Sequence, residues 1–446
     1  MTAFAIADEG AGDFRAAVLE PDGTIRRLVV ALRGEADAGA VSMARIVQRL
    51  EDAKASLLDL GDGRTGFMPD AARPRGPRPE IGSRLPVLIT APPRESGKGY
   101  AVRGDFRLRG RHMLLDPFRP GIRMQGKAPP PSADTSARLV AIVQEAGLVL
   151  LDSSAAMPFD YLAGEARRLA MDAARIAEAV KGKSLGEILP TPDPAARFLR
   201  DLPFDVTAIT VEDSALLARL QRLAGLWAPD LVDRMTPNRD RMALFERFGV
   251  EERIAALLEG RIALPSGGSL HLEETRAGLV IDVDAGPGTG LAANCEAAQE
   301  IPRLLRELSV GGLVIVDFIE GMSGEEQRRL LALLDHGLAR DDFPVARSRP
   351  TTHGVLSLSR RRDGLSLRER MLERRGTVPS LRARLAACLR TWEKEAARAP
   401  QSSLVLPASL AALFDDGHRE RLRERLGFLP VIVTEDFKTR GGKDGI

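Results

Sequence analysis

The chain has 446 residues, enough for two to four domains, and its 44% apolar content allows a sizeable buried core. Two cysteines, Cys295 and Cys388, cannot build a disulfide framework, and no apolar run reaches the roughly 18 residues of a membrane span. Net charge is only +2, so no global excess points to nucleic acid, and the opening residues lack a secretion signal's basic start and apolar block, so the chain reads as cytoplasmic.

In chain order, "DFRAAVLE" and "TIRRLVVAL" read as strands joined by a Pro-Asp-Gly turn. Residues 42–71 alternate polar and apolar side chains around a Gly-Asp-Gly turn. With "LPVLIT" beyond a proline-arginine loop, they suit a small five-stranded barrel of the OB type, a frequent single-strand nucleic-acid module. Phe67 would be either its base-stacking aromatic or a core residue. Next come expected strands in "GDFRLRGRHMLLD" and "AGLVLLDS", and helices in "YLAGEARRLAMDAARIAEAVKG" and "DSALLARLQRLAGLWAP". From residue 249, helix, strand, Gly-Gly turn and strand lead into "GLVIDVDAG", the helix "NCEAAQEIPRLLREL", "GGLVIVDFIEGM", the helix "SGEEQRRLLALLDHGLAR" and "GVLSLSRR". This alternation predicts an α/β domain. A last small unit has "SLVLPASLAALF" and "FLPVIVTED" as its expected strands.

Charge is unevenly spread along these elements. Residues 73–127 hold 13 Lys/Arg against four acids, and residues 347–384 hold 11 Arg against three acids. Clustered positive charge is the footprint of a polyanion-binding surface, although arginine-rich solvated faces give the same count.

The chemistry turns on "IDVDAGPGTG", residues 281–290. Gly288-x-Gly290-x-x-Ala293 formally fits a dinucleotide-binding turn between strand and helix. A pyrophosphate there would face Asp282 and Asp284, which share one face of a strand, and no Lys or Arg lies between Ile281 and Ile301 to offset them. The same carboxylates suit Mg²⁺, a hard cation commonly held by one or two carboxylates plus waters and substrate phosphate. A second apolar strand ends in Asp317, 35 positions after Asp282, a strand–helix–strand spacing that brings both strand ends to one edge. There a divalent ion would activate water and offset charge on a phosphodiester. Solvated turn acids remain the alternative. The five histidines show no zinc spacing, no Cys-x-x-Cys or Gly-x-Ser-x-Gly occurs, and Cys295 reads as a packing residue.

"RIALPSGGSLHLEET", "GLVIDVDAG", "NCEAAQEIPRLLRELSVGGLVIVDFIEGM" and "HGVLSLSRRR" together resemble the catalytic core of the ribonuclease E/G endoribonucleases, in order and in detail. The resemblance extends to the barrel around "RTGFMP" and to 380–440, and is faint between about 105 and 245. It implies an α/β, α+β multidomain chain: an RNase H-like fold (1–36 and 191–255) split by an OB-type, S1-like barrel (37–104). A degenerate 5′-sensor-like region (105–190), a DNase I-like catalytic α/β domain (256–370), a linker (371–379) and a small C-terminal α/β domain (380–446) complete it.

The resemblance also implies Mg²⁺-dependent cleavage of single-stranded RNA to 5′-phosphate and 3′-hydroxyl ends in RNA processing or decay. The family's metal-binding aspartates fall on Asp282 and Asp317, its neighbouring asparagine on Asp284, and its RNA-contacting phenylalanine on Phe67. Arg347, Arg349, Arg360, Arg361 and Arg362 would hold the RNA backbone. Some positions depart from the family. Asp284 replaces an amide, Arg276 replaces a glutamate, and Leu151-Asp152 replaces the Arg-Thr of the 5′-phosphate sensor. "RERMLER" stands where the family has a Cys-Pro-x-Cys zinc link. No zinc and no zinc-linked dimer are therefore expected, although another homo-oligomer is compatible with the resemblance. These departures leave a catalytically impaired RNA-binding protein of the same fold as the alternative, and a nucleotide-binding α/β enzyme as a third reading.

Overall fold

The structure, a computed structural model, describes residues 2–435 except 36–37, 94–97, 183, 342, 363, 374–375 and 400–401. Arg374 and Arg375 of the expected linker, and 436–446 of the expected C-terminal unit, lie outside the described residues.

The N-terminal strands Phe4–Glu9, Asp13–Leu19 and Ile25–Leu32 form a sheet that continues through Ala208–Val211 and Met235–Pro237, nearly 200 residues later. Small residues let this sheet be covered on both faces. Ala5, Ala7, Ala16 and Val18 pack under the helices Pro194–Asp201 and Ser214–Trp227, while Ile6, Ala17, Leu19 and Leu28 turn to the opposite side. Inserted between the two parts of this sheet is a closed barrel. Val41–Leu50, Ala55–Gly61, Arg64–Pro69, Tyr100–Arg103 and Arg84–Ala91 pair in that order, and the last strand closes onto the first. Its interior is Ala44, Ile46, Leu58, Leu60, Met68, Val87, Ile89 and Val102. The Gly61-Asp62-Gly63 hairpin takes φ of 83°, 53° and 73°, a left-handed run that glycine and aspartate tolerate.

The expected strand over "GDFRLRGRHMLLD" is instead two short pieces, Leu108–Arg109 and Met113–Asp116, in a four-stranded sheet with Gly147–Leu151 and Gly121–Gln125. The break places Arg111 in the interior. Its guanidinium donates to Asp230 at 2.9 Å and to the carbonyls of Leu199 and Leu202 at 3.0 and 2.9 Å.

Downstream lies a six-stranded sheet in the order Arg261–Ala263, Ser269–Glu274, Gly278–Asp284, Gly312–Asp317, Val355–Arg360, Val345–Arg347. Alternation sets its two faces apart. Leu270, Leu272, Leu279, Ile281, Val283, Val314, Val316, Leu356 and Leu358 are buried in the same core as the helices Gly290–Glu307 and Gly324–Leu338. That core also takes in Ile6, Leu19 and Leu28 of the first sheet, so the helix layer is shared between two sheets. Ile301, Leu304 and Leu305 of the central helix are fully buried, each worth roughly 1.5–3 kcal/mol. The other face is open: His271, Glu273, Asp282, Asp284, Leu313 and Asp317 are all exposed.

The C-terminal unit consists of the helices Leu381–Ala396 and Asp416–Leu426 and a parallel pair, Leu404–Pro407 with Ile432–Glu435. "SLVLPASLAALF" is strand only up to Pro407, and a helical turn, Ala408–Ala411, follows. The unit docks on the first sheet by charge and close packing. Arg390 donates to Asp13 at 2.8 Å and to Asp8 at 2.7 Å, Glu393 accepts from the Ala11 N–H at 2.6 Å, and a Cβ at Gly12 would lie 2.6 Å from Ala386 Cα. Burial alone would raise the Asp8 carboxyl, but Arg390 and Arg15 outweigh it and hold it below the usual carboxylate range. At Glu9 the balance reverses: burial dominates the attraction of Arg219, Arg421 and Arg33, and the carboxyl is pushed up.

Candidate active site

The strands Gly278–Asp284 and Gly312–Asp317 are parallel neighbours, and their register sets Asp282 directly opposite Asp317. Register partners point to the same face of a sheet about 4.8 Å apart, here the open face. Neither carboxylate has a hydrogen-bond or ion-pair partner among the described residues. Asp284 lies on the same face two residues further along. One of its oxygens accepts the Gly286 N–H at 2.9 Å, which closes the strand into the following turn.

The glycines of "DAGPGTG" serve packing. Gly286 has φ +54°, and a Cβ there would collide with the Gly267 carbonyl oxygen, while a Cβ on Gly288 would sit 2.9 Å from the Ser266 carbonyl oxygen. The loop therefore lies backbone against backbone on the Pro-Ser-Gly-Gly turn. The helix that follows begins at Gly290, four residues before the expected Asn294, because the Thr289 side chain accepts the Ala292 N–H as its cap.

Two residues of that helix fix the loops beside the carboxylates, and sequence reasoning assigned them no role. Asn294, fully buried, donates to the Ile319 carbonyl at 2.8 Å and accepts the Ile319 N–H at 3.0 Å, pinning the segment after Asp317. Glu296 accepts from the Ser266 N–H at 3.0 Å and the Ser266 hydroxyl at 2.8 Å, pinning the turn before Ser269. The available signal was Asn294 and Glu296 in "NCEAAQE", polar positions that flank the buried Ala293, Ala297 and Ala298.

The remaining expected site residues divide between two places. Arg349 is exposed in the connection between Val345–Arg347 and Val355–Arg360, at the Asp317 end of the sheet, since Asp317 pairs with Val355. Arg347 is clamped to Asp335 by two bonds of 2.6 Å. Arg360 pairs with Gly312, at the other end of the Asp317 strand, about 17 Å away along the strand. Its buried guanidinium bonds Asp341 at 2.9 and 3.0 Å and the Val310 carbonyl at 2.7 Å. Arg362 donates to the Gly311 carbonyl at 2.8 Å, and Arg361 is exposed beside the Phe343 ring. With half-buried Phe67, these three arginines line a groove of about 1660 Å³ that Asp282, Asp284 and Asp317 do not reach. In the sensor-like region, Leu151 ends its strand and Asp152 accepts the Ala128 N–H at 2.6 Å, so the position presents no cation.

Two unpaired, solvent-facing carboxylates on adjacent strands are hard oxygen donors that fit Mg²⁺, an ion that keeps several waters and needs few protein ligands. Among the described residues no three His, Cys, Asp or Glu side chains converge as a ready-made metal cage, so such an ion would depend on water and substrate oxygens to complete its shell. Cys295 and Cys388 are free thiols, both half-buried.

Fold and site together define an α/β domain with a paired-carboxylate edge, coupled to a closed five-stranded barrel. The chain belongs to the ribonuclease E/G family, whose model matches residues 108–363. It is 29% identical over 383 residues to ribonuclease E of Nostoc sp., covering 79% of this chain and 55% of that protein. It is 27% identical over 300 residues to ribonuclease E of Synechocystis sp. (64% of this chain, 44% of the relative) and 25% identical over 289 residues to ribonuclease G of Haemophilus influenzae (60% and 58%). The chain thus spans about half the length of the curated relatives it matches.

Proposed function

We propose that this chain is an endoribonuclease that hydrolyses single-stranded RNA to 5′-phosphate and 3′-hydroxyl ends, in cytoplasmic RNA processing or decay, with Mg²⁺ held by Asp282 and Asp317. The observation that carries this reading is the register of those two aspartates at the ends of parallel strands, in a chain of the ribonuclease E/G family. When bound, the ion supplies activation of water and relief of charge on the phosphodiester.

The protein's own part is positioning. Asp282 and Asp317 come from two strands of one rigid sheet, so their spacing is set by backbone hydrogen bonds and not by loops. Asp284 keeps one oxygen on the Gly286 N–H and turns its remaining lone pairs to solvent, next to where the phosphate would lie. Asn294 and Glu296 hold the flanking loops, and Arg349 adds positive charge at the same edge. Phe67 and exposed Arg361 would engage the RNA strand at a distance, in the groove beside the barrel.

The test compares wild type with Asp317→Asn on a short unstructured RNA with Mg²⁺. Cleavage by the wild type and loss of at least about a hundredfold in the variant are expected, as for removal of one ligand from a charge-stabilising site. Equal cleavage by both refutes the assignment. Salt-dependent RNA binding with no turnover by the wild type supports the alternative, an RNA-binding protein whose activity has been lost.

A further inference from the structure

The open face carries more than the paired aspartates. Across four adjacent strands the register reads Arg261, His271, Asp282, Asp317: Arg261 is opposite His271, His271 opposite Asp282, and Asp282 opposite Asp317. All four are exposed, and partners in register share a face, so they form one row running across the strands. His271 is held in place, with its Nε2 3.0 Å from the hydroxyl of buried Ser269. Arg261 has no hydrogen bond or ion pair among the described residues, and exposed Glu273, the next residue on that face, is not bonded to it.

We propose that Arg261 and His271 form a second subsite, which grips the RNA strand flanking the bond at Asp282 and Asp317. The proposal rests on the endoribonuclease reading above. A cation-type site at one end of the row and an unpaired guanidinium at the other mark two successive places for phosphate. Two strand spacings, about 10 Å, separate the Arg261 and Asp282 backbones, and the long arginine side chain shortens that gap to the reach of one or two nucleotides. Arg261 is suited to the flanking phosphate because its fork can take two oxygens at once. His271, fixed by Ser269 between them, meets the intervening nucleotide with its ring face or its free nitrogen. The substrate strand then crosses the sheet perpendicular to the β-strands, and the edge strand Arg261–Ala263 is part of the binding surface.

The experiment measures binding of a 5′-labelled, unstructured RNA to the full chain by fluorescence anisotropy in EDTA, over a salt series, alongside steady-state cleavage with Mg²⁺. Arg261→Glu is expected to weaken binding about tenfold and to lower the salt slope by about one, as for loss of one phosphate contact. Arg261→Lys should keep the slope, because the charge remains. In cleavage the loss should appear in KM rather than kcat, and His271→Ala should raise KM without changing the salt slope. Binding by Arg261→Glu within twofold of wild type, or a fall in kcat at unchanged affinity, overturns the subsite. A wild type that binds RNA with this Arg261 dependence but never cleaves supports the subsite and refutes the endoribonuclease reading, so the two failures are separable.

Discussion

Asn294→Asp isolates how the loop beside Asp317 is held. The native amide is fully buried and makes a two-way pairing with the Ile319 peptide, donating at 2.8 Å and accepting at 3.0 Å. An aspartate keeps the acceptor and loses the donor. A protonated carboxyl could still donate to the Ile319 carbonyl, but an ionised one would set a buried charge against that oxygen. The folded state therefore raises the new carboxyl's pKa, and its stability should be near wild type below the unfolded pKa of about 3.9 and fall as pH rises through the folded value. With a folded pKa above 7 the loss at pH 7 approaches about 4 kcal/mol, since each unit costs about 1.4 kcal/mol. Asn294→Ala should cost about 2–4 kcal/mol at any pH, from two lost bonds and an unpaired peptide. Urea unfolding followed by far-ultraviolet circular dichroism at pH 5 and pH 7 reads the difference. Asn294→Asp losses equal at the two pH values, or under about 0.5 kcal/mol at pH 7, would refute the pairing as the loop's anchor.

Arg360→Met should destabilise the fold by about 3–5 kcal/mol by leaving buried Asp341 without its partner. RNA affinity per folded molecule should stay unchanged, whereas a backbone-contact role would weaken binding and spare the unfolding midpoint. Asp8→Asn should lower stability at neutral pH and flatten the acid limb of a pH–stability curve. The Asp8 carboxyl is held low in the fold, so its contribution is present above its unfolded pKa and lost as pH falls through the lower, folded one; an acid limb as steep as wild type would contradict this.

The paired aspartates were legible because local information suffices there. Two apolar runs, each ending in Asp and separated by one helix, constrain strand direction and edge, and the folded sheet then sets the two aspartates in register. The barrel was legible for the same reason, since alternation and one tight turn state which faces are inside. Other features depend on partners far away in the chain. Nothing near Arg111 announces Asp230, 119 residues on, whose carboxylate accepts its buried guanidinium. A basic count over 347–362 does not reveal that Arg347 and Arg360 are spent on Asp335 and Asp341. The Arg261 row was illegible because register between strands is a property of the folded sheet and leaves no mark on spacing.

Those partnerships sharpen the meaning of the carboxylates that lack one. The chain carries 64 Lys and Arg, and its acids in the interior have recruited them: Asp8 and Asp13 face Arg390, Glu9 faces Arg219, Asp230 faces Arg111, Glu307 faces Arg253 and Asp341 faces Arg360. In so arginine-rich a chain, a carboxylate that is near a like charge is readily neutralised by a single nearby guanidinium. Asp282 and Asp317 sit one strand apart, with Asp284 close by on the same face, and among the described residues no cationic side chain is bonded to any of the three. Adjacent like charges repel, and leaving them unpaired costs stability that a bound cation would recover. The six interior acids named above thus have arginine partners, which Asp282 and Asp317 lack among the described residues. The sheet edge that carries this pair lies beside the loops that Asn294 and Glu296 hold still. A surface turn of merely solvated acids would need neither the shared register nor those two anchors.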